Sequence, residues 1–366
     1  MKKSLPCLTL IAAIIAANAA IAEPASELPY NVTEVPVPAR AELPPDPAMA
    51  GKRMVLQAAG QLEQHASVTA RLRHQVNLGG ENVDGIINYW QQGSGEELKV
   101  RLELQIIGKD ATLLQVCNGR FYWIDRRLPT GRYVSRIDLR QLRADPSLAA
   151  SNLNDIKPGE ANWSALQSEL SAYTGGLPTL LNSLNDNFAF LPPQAFQLEV
   201  KPLPDAESMK VPVFAVVGHW RPEKLAALVS KHQPPPVVDP KKPADPKHKA
   251  HKPKPLPERI PEEVLLLVRQ SDLFPCRIEY RRLETPQPMA GNGPPIPYQL
   301  SVHPMVVLEL SEVVFDAAIA AGQFDYTPGD ADWNDQTTAI IERLRQQHQA
   351  QVAARPTTET ATPTRQ

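Results

Sequence analysis

LLQVCNGRFYWIDRR, residues 113–127, holds two apolar runs separated by Asn118-Gly119. Asn-Gly between apolar runs is a strong short-range signal for a two-residue β-hairpin, in which both turn residues take positive φ. The stretch therefore predicts two paired antiparallel strands joined by a tight turn. We interpret this hairpin as a structural part of a sheet and not as a reactive site, although Cys117 directly precedes the turn.

Strand patterns flank this hairpin on both sides. Residues 67–78 and 96–108 alternate apolar and polar side chains with a period of two, which is typical of a half-buried strand. Residues 82–93 and 132–139 are further strand patterns bounded by turn residues. We expect a meander of at least five consecutive antiparallel strands.

Helical patterns precede, interrupt and follow the strands. Residues 48–66 predict an amphipathic first helix, residues 138–190 predict helices with a break at 175–178, and residues 335–354 predict a final helix. A short helix is also predicted at 222–232. Further strands are predicted at 196–203, 210–220, 262–270, 275–284 and 297–315. This order predicts an α+β fold: a curved antiparallel sheet, or incomplete β-barrel, whose open side is covered by helices.

The N-terminus has the layout of a secretory signal. Two lysines precede an apolar run that ends in Ala20-Ile21-Ala22, so we interpret residues 1–22 as a signal peptide. The expected location is periplasmic or otherwise exported, with a soluble protein after cleavage. The alternative is a protein anchored by an uncleaved N-terminal segment, because the apolar run approaches the length of a membrane span.

Proline-rich and low-complexity stretches delimit the predicted domain. We expect a Pro-rich extended leader at 23–47, a single domain at 48–352 and a disordered Thr-rich tail at 353–366. Residues 233–258 are rich in Pro, Lys and His and predict a disordered insertion within the domain. The insertion is either a solvated spacer, which we favour, or a contact with an anionic surface.

Charge and motifs exclude several function classes. The net charge of −2 gives no overall attraction to nucleic acid, and we expect no nucleic-acid partner. The sequence has no Gly-x-Ser-x-Gly, His-Glu-x-x-His, phosphate loop, dinucleotide fingerprint or Cys-x-x-Cys. His74, His219 and His303 lie within strand patterns, where lone histidines are usually hydrogen-bonded or solvent-facing. We expect no catalytic residue, no metal site and no cofactor.

Cys117 and Cys276 are the two cysteines that remain once a signal peptide carrying Cys7 is removed. Disulfides persist in exported proteins. A bridge between Cys117 and Cys276 would close a long loop and stabilise the fold by about 4 to 5 kcal/mol in the chain-entropy model. Two buried free thiols are the alternative.

Four motifs resemble the LolA-like periplasmic lipoprotein carriers, a lipoprotein-sorting superfamily. HASVTARLRHQV (65–76) resembles their first strand, and VDGIINYW (83–90) their glycine-containing second strand. NGRFYWID (118–125) is similar to their most recognisable hairpin, and FDAAIAAGQFDYTPGD (315–330) to their terminal strand ending. The resemblance implies an incomplete barrel, lined by apolar side chains and lidded by helices, that binds acyl chains without catalysis.

The leading hypothesis is a noncatalytic exported protein that binds an acyl chain, lipid or lipoprotein in a hydrophobic cavity and carries it across the periplasm. Burying an acyl chain is favourable by about 0.8 kcal/mol per methylene. An apolar concave sheet provides the surface for this burial and needs no polar groups. Candidate cavity residues are Leu72, Val76, Trp90, Leu102, Leu104, Trp123, Val216 and Val307. The alternative is an envelope sensor or protein-interaction module with the same fold.

Overall fold

The computed structural model describes residues 47–78, 81–145, 176–200, 209–232, 259–284 and 301–353. The predicted signal peptide, the insertion at 233–258, all but the last residue of the leader and all but the first residue of the tail lie outside the described residues. The helical pattern at 146–175 also lies outside them.

Thirteen strands and five α-helices are present in the described residues. The strands are β1 (Ser67–Leu78), β2 (Glu81–Gln92), β3 (Lys99–Ile106), β4 (Thr112–Cys117), β5 (Phe121–Leu128), β6 (Gly131–Asp138), β7 (Phe188–Phe190), β8 (Gln194–Val200), β9 (Met209–Trp220), β10 (Glu263–Arg269), β11 (Pro275–Glu284), β12 (Ser301–Phe315) and β13 (Trp333–Asp335). The helices are α1 (Pro47–Gln64), α2 (Leu139–Ala144), α3 (Gly176–Asn187), α4 (Pro222–His232) and α5 (Thr337–Ala353).

All thirteen strands belong to one open sheet. The order is β13-β6-β5-β4-β3-β2-β1-β12-β11-β10-β9-β7, and β8 also pairs with β9. The predicted meander is β1 to β6, and β12 pairs with β1 to join it to the later strands. Every pairing is antiparallel except that of β13 with β6. The predicted fold class, an unclosed antiparallel sheet with helices, is confirmed, and β9 pairs with β10 across the insertion.

The two faces of the sheet differ in chemistry. Strand register places Leu72, Ile87 and Leu104 side by side on the face that α1 and α3 cover, which we call the helix face. The opposite side, the outer face, has charged cross-strand neighbours such as Arg73 and Glu309. This division follows from the period-two alternation of β1 and β3.

The hairpin at Asn118-Gly119 forms, but its turn differs from the predicted one. Asn118 N–H donates to Phe121 O at 3.1 Å, so the two turn residues are Gly119 and Arg120. Only Gly119 among them has positive φ, at 87°. The Asn118 side chain holds this turn, because its Oδ1 accepts from the N–H groups of Arg120 (3.1 Å) and Phe121 (2.8 Å).

Two other segments differ from the predicted elements. Residues 188–190 are strand β7 and not the end of a helix. Residues 316–332, predicted to contain a terminal strand ending, form a connection that we call the outer strap, with one 3-10 turn at Ala321–Phe324. The outer strap leads from β12 across to the far edge strand, where β13 pairs with β6.

Of the two alternatives for the cysteines, the structure has the two free thiols and not the disulfide. Cys117 and Cys276 are free thiols on β4 and β11. Those strands are five positions apart in the sheet, roughly 24 Å at the usual strand spacing, whereas a disulfide needs Cα atoms within about 7 Å. Each thiol donates to a nearby carbonyl instead: Cys117 to Leu98 O at 3.7 Å and Cys276 to Leu267 O at 3.3 Å.

Reducing agent is therefore expected to leave the melting temperature unchanged. Burial raises the pKa of Cys117, and it raises the pKa of Cys276 to about 11, so few thiolates exist at pH 8. Iodoacetamide at pH 8 should label both cysteines at least about tenfold more slowly in the native protein than in denaturant. A disulfide-linked peptide pair in non-reducing peptide mapping would contradict this expectation.

Candidate ligand-binding face

The helix face is apolar over most of the sheet. Its buried side chains come from strands on both sides of β1, and α1 and α3 pack on them. The members of this cluster on the strands nearest β1 are Val68, Ala70, Leu72, Val76, Val83, Ile87, Leu102, Leu104, Val306, Leu308 and Leu310. Continuous aliphatic cover of this kind suits contact with hydrocarbon.

Two pairs of helices divide the cover of this face. Helices α1 and α3 contribute to the main cluster, whereas α2 and α5 pack with Cys117, Tyr122 and Ile137 in a second cluster. Val100 and Ile124 pack against both clusters and are only half-buried. They mark a seam between the two helix-covered halves.

Tyr89 fixes the beginning of α3 to the sheet. Its hydroxyl donates to Gln91 Oε1 at 2.5 Å and accepts from Leu177 N at 3.0 Å, and burial raises its pKa. A Cβ at Gly176, the first residue of α3, would lie 2.3 Å from that oxygen, and Gly176 has a φ of 52°. Glycine therefore permits the close approach of α3 to the face.

Replacing Tyr89 by phenylalanine should lower the free energy of unfolding by about 2 kcal/mol, because buried Leu177 N–H and Gln91 Oε1 lose a partner. Urea unfolding measures this change. Tyr133→Phe is the matched control, since Tyr133 is 55% exposed, and should change it by less than about 0.5 kcal/mol. Equal effects of the two substitutions would contradict the role of Tyr89.

His74 is a buried polar residue on the helix face, where buried Gln91 and Gln115 also lie. It is 0% exposed, and neither Nδ1 nor Nε2 has a hydrogen-bond partner among the described residues. Burial lowers the pKa of His74 to about 4, although the charge of Asp84 acts in the opposite direction. The imidazole is therefore neutral at pH 7.

Five of the eight predicted cavity residues lie on the helix face: Leu72, Val76, Leu102, Leu104 and Val216. The other three are corrected. Register places Trp90, Trp123 and Val307 on the outer face, because their neighbours Tyr89, Tyr122 and Val306 point to the helices. In each case two adjacent apolar residues compete for one inward position.

The outer face is held by ion pairs and aromatic contacts. Buried Glu279 pairs with Arg277 and with Arg281 Nε, the latter at 2.6 Å. Asp125 accepts from Arg132 Nη2 at 2.7 Å and from Tyr326 of the outer strap at 2.9 Å. Burial alone would raise the pKa of Asp125, but these hydrogen bonds lower it below its usual range.

The outer strap also covers Trp123. The Trp123 ring lies 5.4 Å from Tyr326 and 5.5 Å from Trp333, measured between ring centroids. A groove of about 360 Å³ on the outer face mixes charged and apolar lining side chains, including Arg71, Glu103 and Ile86. Its charged lining suits hydrocarbon less well than the helix face does.

The predicted lone histidines do not converge. His74 is buried on β1, whereas His219 on β9 and His303 on β12 are exposed. Within the described ranges no three His, Cys, Asp or Glu side chains could hold a metal ion together. Among the same residues, none of the helices is both long enough and apolar enough for a membrane span.

Sequence reasoning missed the seam and the Tyr89 anchor. His74 did have a signal in the sequence, because it interrupts the apolar alternation of β1. Val100 and Ile124 carry no such signal, since their half-burial results from tertiary packing.

Comparison with known proteins gives structural matches only. No protein-family model and no curated protein matches this chain. The chain is similar to a LolA superfamily protein. That protein, from Nitrosomonas europaea, shares 12% identity at a TM-score of 0.23, with 76% of this chain and 98% of that chain covered.

Two other solved structures are similar to the chain. The lipoprotein LppX of Mycobacterium tuberculosis shares 10% identity at a TM-score of 0.30, covering 74% of this chain and 97% of that one. The MucA/MucB complex of Pseudomonas aeruginosa shares 11% identity at a TM-score of 0.32, covering 76% and 61%. The similar structures thus include the superfamily that the sequence motifs resemble, but TM-scores this low bear on neither ligand nor partner.

Proposed function

We propose that this protein binds an acyl chain or a similar apolar ligand between its sheet and its helices, without catalysing a reaction. The observation that carries the proposal is the seam. Val100 and Ile124 are half-buried between the two helix pairs of the described residues, on a mostly apolar face where Gln91 and Gln115 are their buried polar neighbours. Hydrocarbon entering there gains about 0.8 kcal/mol per methylene.

Export and carriage complete the proposal. A signal peptide at residues 1–22 would place the protein in the periplasm, where a lipid or lipoprotein acyl chain must be shielded from water to move. The basic segment 233–258 stays a prediction for contact with an anionic surface.

Binding is tested first on the purified full-length protein. Organic extraction followed by mass spectrometry should recover lipid, and the neutral dye 1-N-phenylnaphthylamine should gain fluorescence on binding. Absence of extracted lipid together with absence of dye uptake would overturn the proposal.

A matched pair of variants locates the binding. Ile124 and Ile86 are both half-buried isoleucines, on the helix face and the outer face respectively. Ile124→Lys should weaken dye binding at least about tenfold, because a buried charge opposes an apolar ligand, whereas Ile86→Lys should leave it unchanged. Ile124→Phe keeps the seam apolar and should retain binding. Equal loss in both lysine variants would contradict a helix-face site.

A protein-binding module is the second candidate. Trp333 on β13 is 42% exposed and Tyr133 on β6 is 55% exposed, and both lie at the same edge of the sheet. Exposed aromatic residues are enriched at protein interfaces. Crosslinking in cells that maps a partner to this edge, with no lipid recovered by extraction, would favour this function.

A further inference from the structure

We propose that His74 is the hydrogen-bonding residue for a carbonyl group of the bound ligand, an ester or carboxyl oxygen near the head of an acyl chain. This inference rests on the proposed function. It narrows the ligand from any hydrocarbon to a carbonyl-bearing lipid.

The position of His74 is central on the helix face. Its Cα partners are Gly85 on β2 and Leu308 on β12, and Leu72 and Val76 flank it on the same face of β1. Every one of these side-chain neighbours is apolar. The imidazole therefore has two polar nitrogens in an aliphatic surface, with no partner for either among the described residues.

An unpartnered polar group of this kind lowers stability and needs a reason. Buried polar groups are hydrogen-bonded in the large majority of cases, and exceptions concentrate at functional sites. An aliphatic residue of similar volume would fill the same place without that cost. The histidine is best explained by a partner that arrives with the ligand.

Because Gly85 has no side chain, the side chain of Leu104 occupies the space next to the imidazole. A Cβ on Gly85 would lie 2.6 Å from Leu104 Cδ1, so Leu104 reaches over the glycine from β3. A leucine side chain can change rotamer where backbone could not. A ligand on the helix face can thus reach His74 by displacing Leu104.

The chemistry of a neutral imidazole selects the ligand class. One ring nitrogen donates a hydrogen bond and the other accepts one. A carbonyl oxygen accepts the N–H, and a protonated carboxyl group uses both nitrogens, whereas an alkane uses neither. An ionised carboxylate would have to enter an apolar region without a cationic partner, which is unfavourable.

Competition for 1-N-phenylnaphthylamine tests the inference with methyl decanoate, tridecane and dodecanoic acid, each delivered from cyclodextrin. The first two have equal numbers of heavy atoms and differ in the ester. The quantity compared is the affinity for methyl decanoate divided by the affinity for tridecane, and this ratio should be about tenfold higher in the native protein than in His74→Leu. His74→Gln keeps a side chain that can form hydrogen bonds and should retain part of this difference.

Imidazole nitrogen NMR gives a readout that a merely structural histidine would not move. The ¹⁵N signals of His74, assigned with His74→Gln, should shift on addition of methyl decanoate and stay in place with tridecane. Dodecanoic acid at pH 5 distinguishes the two sources of a carbonyl group. A ¹⁵N shift with the acid but not with the ester indicates a fatty acid, and a shift with the ester indicates an esterified lipid.

The two possible failures are distinct. The same ester-to-alkane affinity ratio in the native protein and in His74→Leu, with no ¹⁵N shift from any competitor, would overturn the role of His74 while leaving the proposed function standing. Failure of all three competitors to displace the dye, together with no recovered lipid, would overturn both.

Discussion

Gly51→Ala is expected to lower the free energy of unfolding by about 3 kcal/mol or more. Gly51 lies in α1 where the helix meets the chain after β7, and an added Cβ would lie 2.1 Å from Leu191 O and 2.8 Å from Phe190 Cβ. The nearest obstacle is a backbone oxygen, so no rotamer change relieves the overlap. Helix α1 would have to move away from the sheet.

Gly60→Ala in the same helix is the matched control. A Cβ at Gly60 meets no atom within 4 Å, and alanine is a better helix former than glycine, so this change should raise stability by about 0.5 to 1 kcal/mol. Urea unfolding of both variants gives the comparison. Similar changes for the two variants would show that α1 does not dock as described.

Acidification from pH 6.5 to pH 4 is expected to remove about 3 kcal/mol of stability through His74 alone. Burial lowers the folded-state pKa of His74 to about 4 from an ordinary value of 6.5. Between these values the unfolded chain binds the proton and the folded chain does not. This component of stability is therefore fully present above pH 6.5 and is lost as the pH falls through 4.

Variants that lack the imidazole isolate the contribution of His74 to the free energy of unfolding. His74→Leu and His74→Gln cannot titrate, so their stability relative to the native protein should rise by about 3 kcal/mol between pH 7 and pH 4. His74→Leu should also exceed the native protein at pH 7 by about 1 to 3 kcal/mol, because an unpartnered polar group is removed. A difference that stays constant with pH, measured by urea unfolding, would show that His74 is already hydrogen-bonded or exposed.

The sequence predicts which face of the sheet a side chain lies on where apolar and polar residues alternate. It does not predict the face where two apolar residues are adjacent along the strand. Leu72, Val76, Leu102 and Leu104 alternate with polar neighbours, and all four lie on the predicted face. Trp90 and Val307 each follow another apolar residue, so both phases of the alternation fit the pattern. Register with neighbouring strands decided these cases, and a single sequence does not contain it.

The order of the strands in the sheet was the second feature that the sequence alone could not predict. The sheet order that puts β12 beside β1 also puts Cys117 and Cys276 five strands apart, which two cysteine positions alone could not reveal. The turn at Gly119 shows the same limit on a local scale. Asn118 stabilises the turn through its side chain, and this competes with the positive φ that the Asn-Gly signal implies.

The interpretation of His74 shows how the sequence and the structure combine. Alternation placed it on the apolar face of β1, but lone strand histidines are usually hydrogen-bonded or exposed. In the folded chain it is fully buried and has no hydrogen-bond partner among the described residues. The site therefore depends on tertiary packing that the strand pattern does not encode.

Photo-crosslinking with a diazirine-bearing fatty acid tests the central claim most directly. The purified full-length protein is irradiated with the probe, and tandem mass spectrometry assigns each label to a single residue. Labels are predicted on helix-face side chains near the seam and near His74, including Ile124, Leu104 and Leu72. Labels confined to the outer face, such as Ile86 and the outer strap, or no specific labelling at all, would contradict ligand binding between the sheet and the helices.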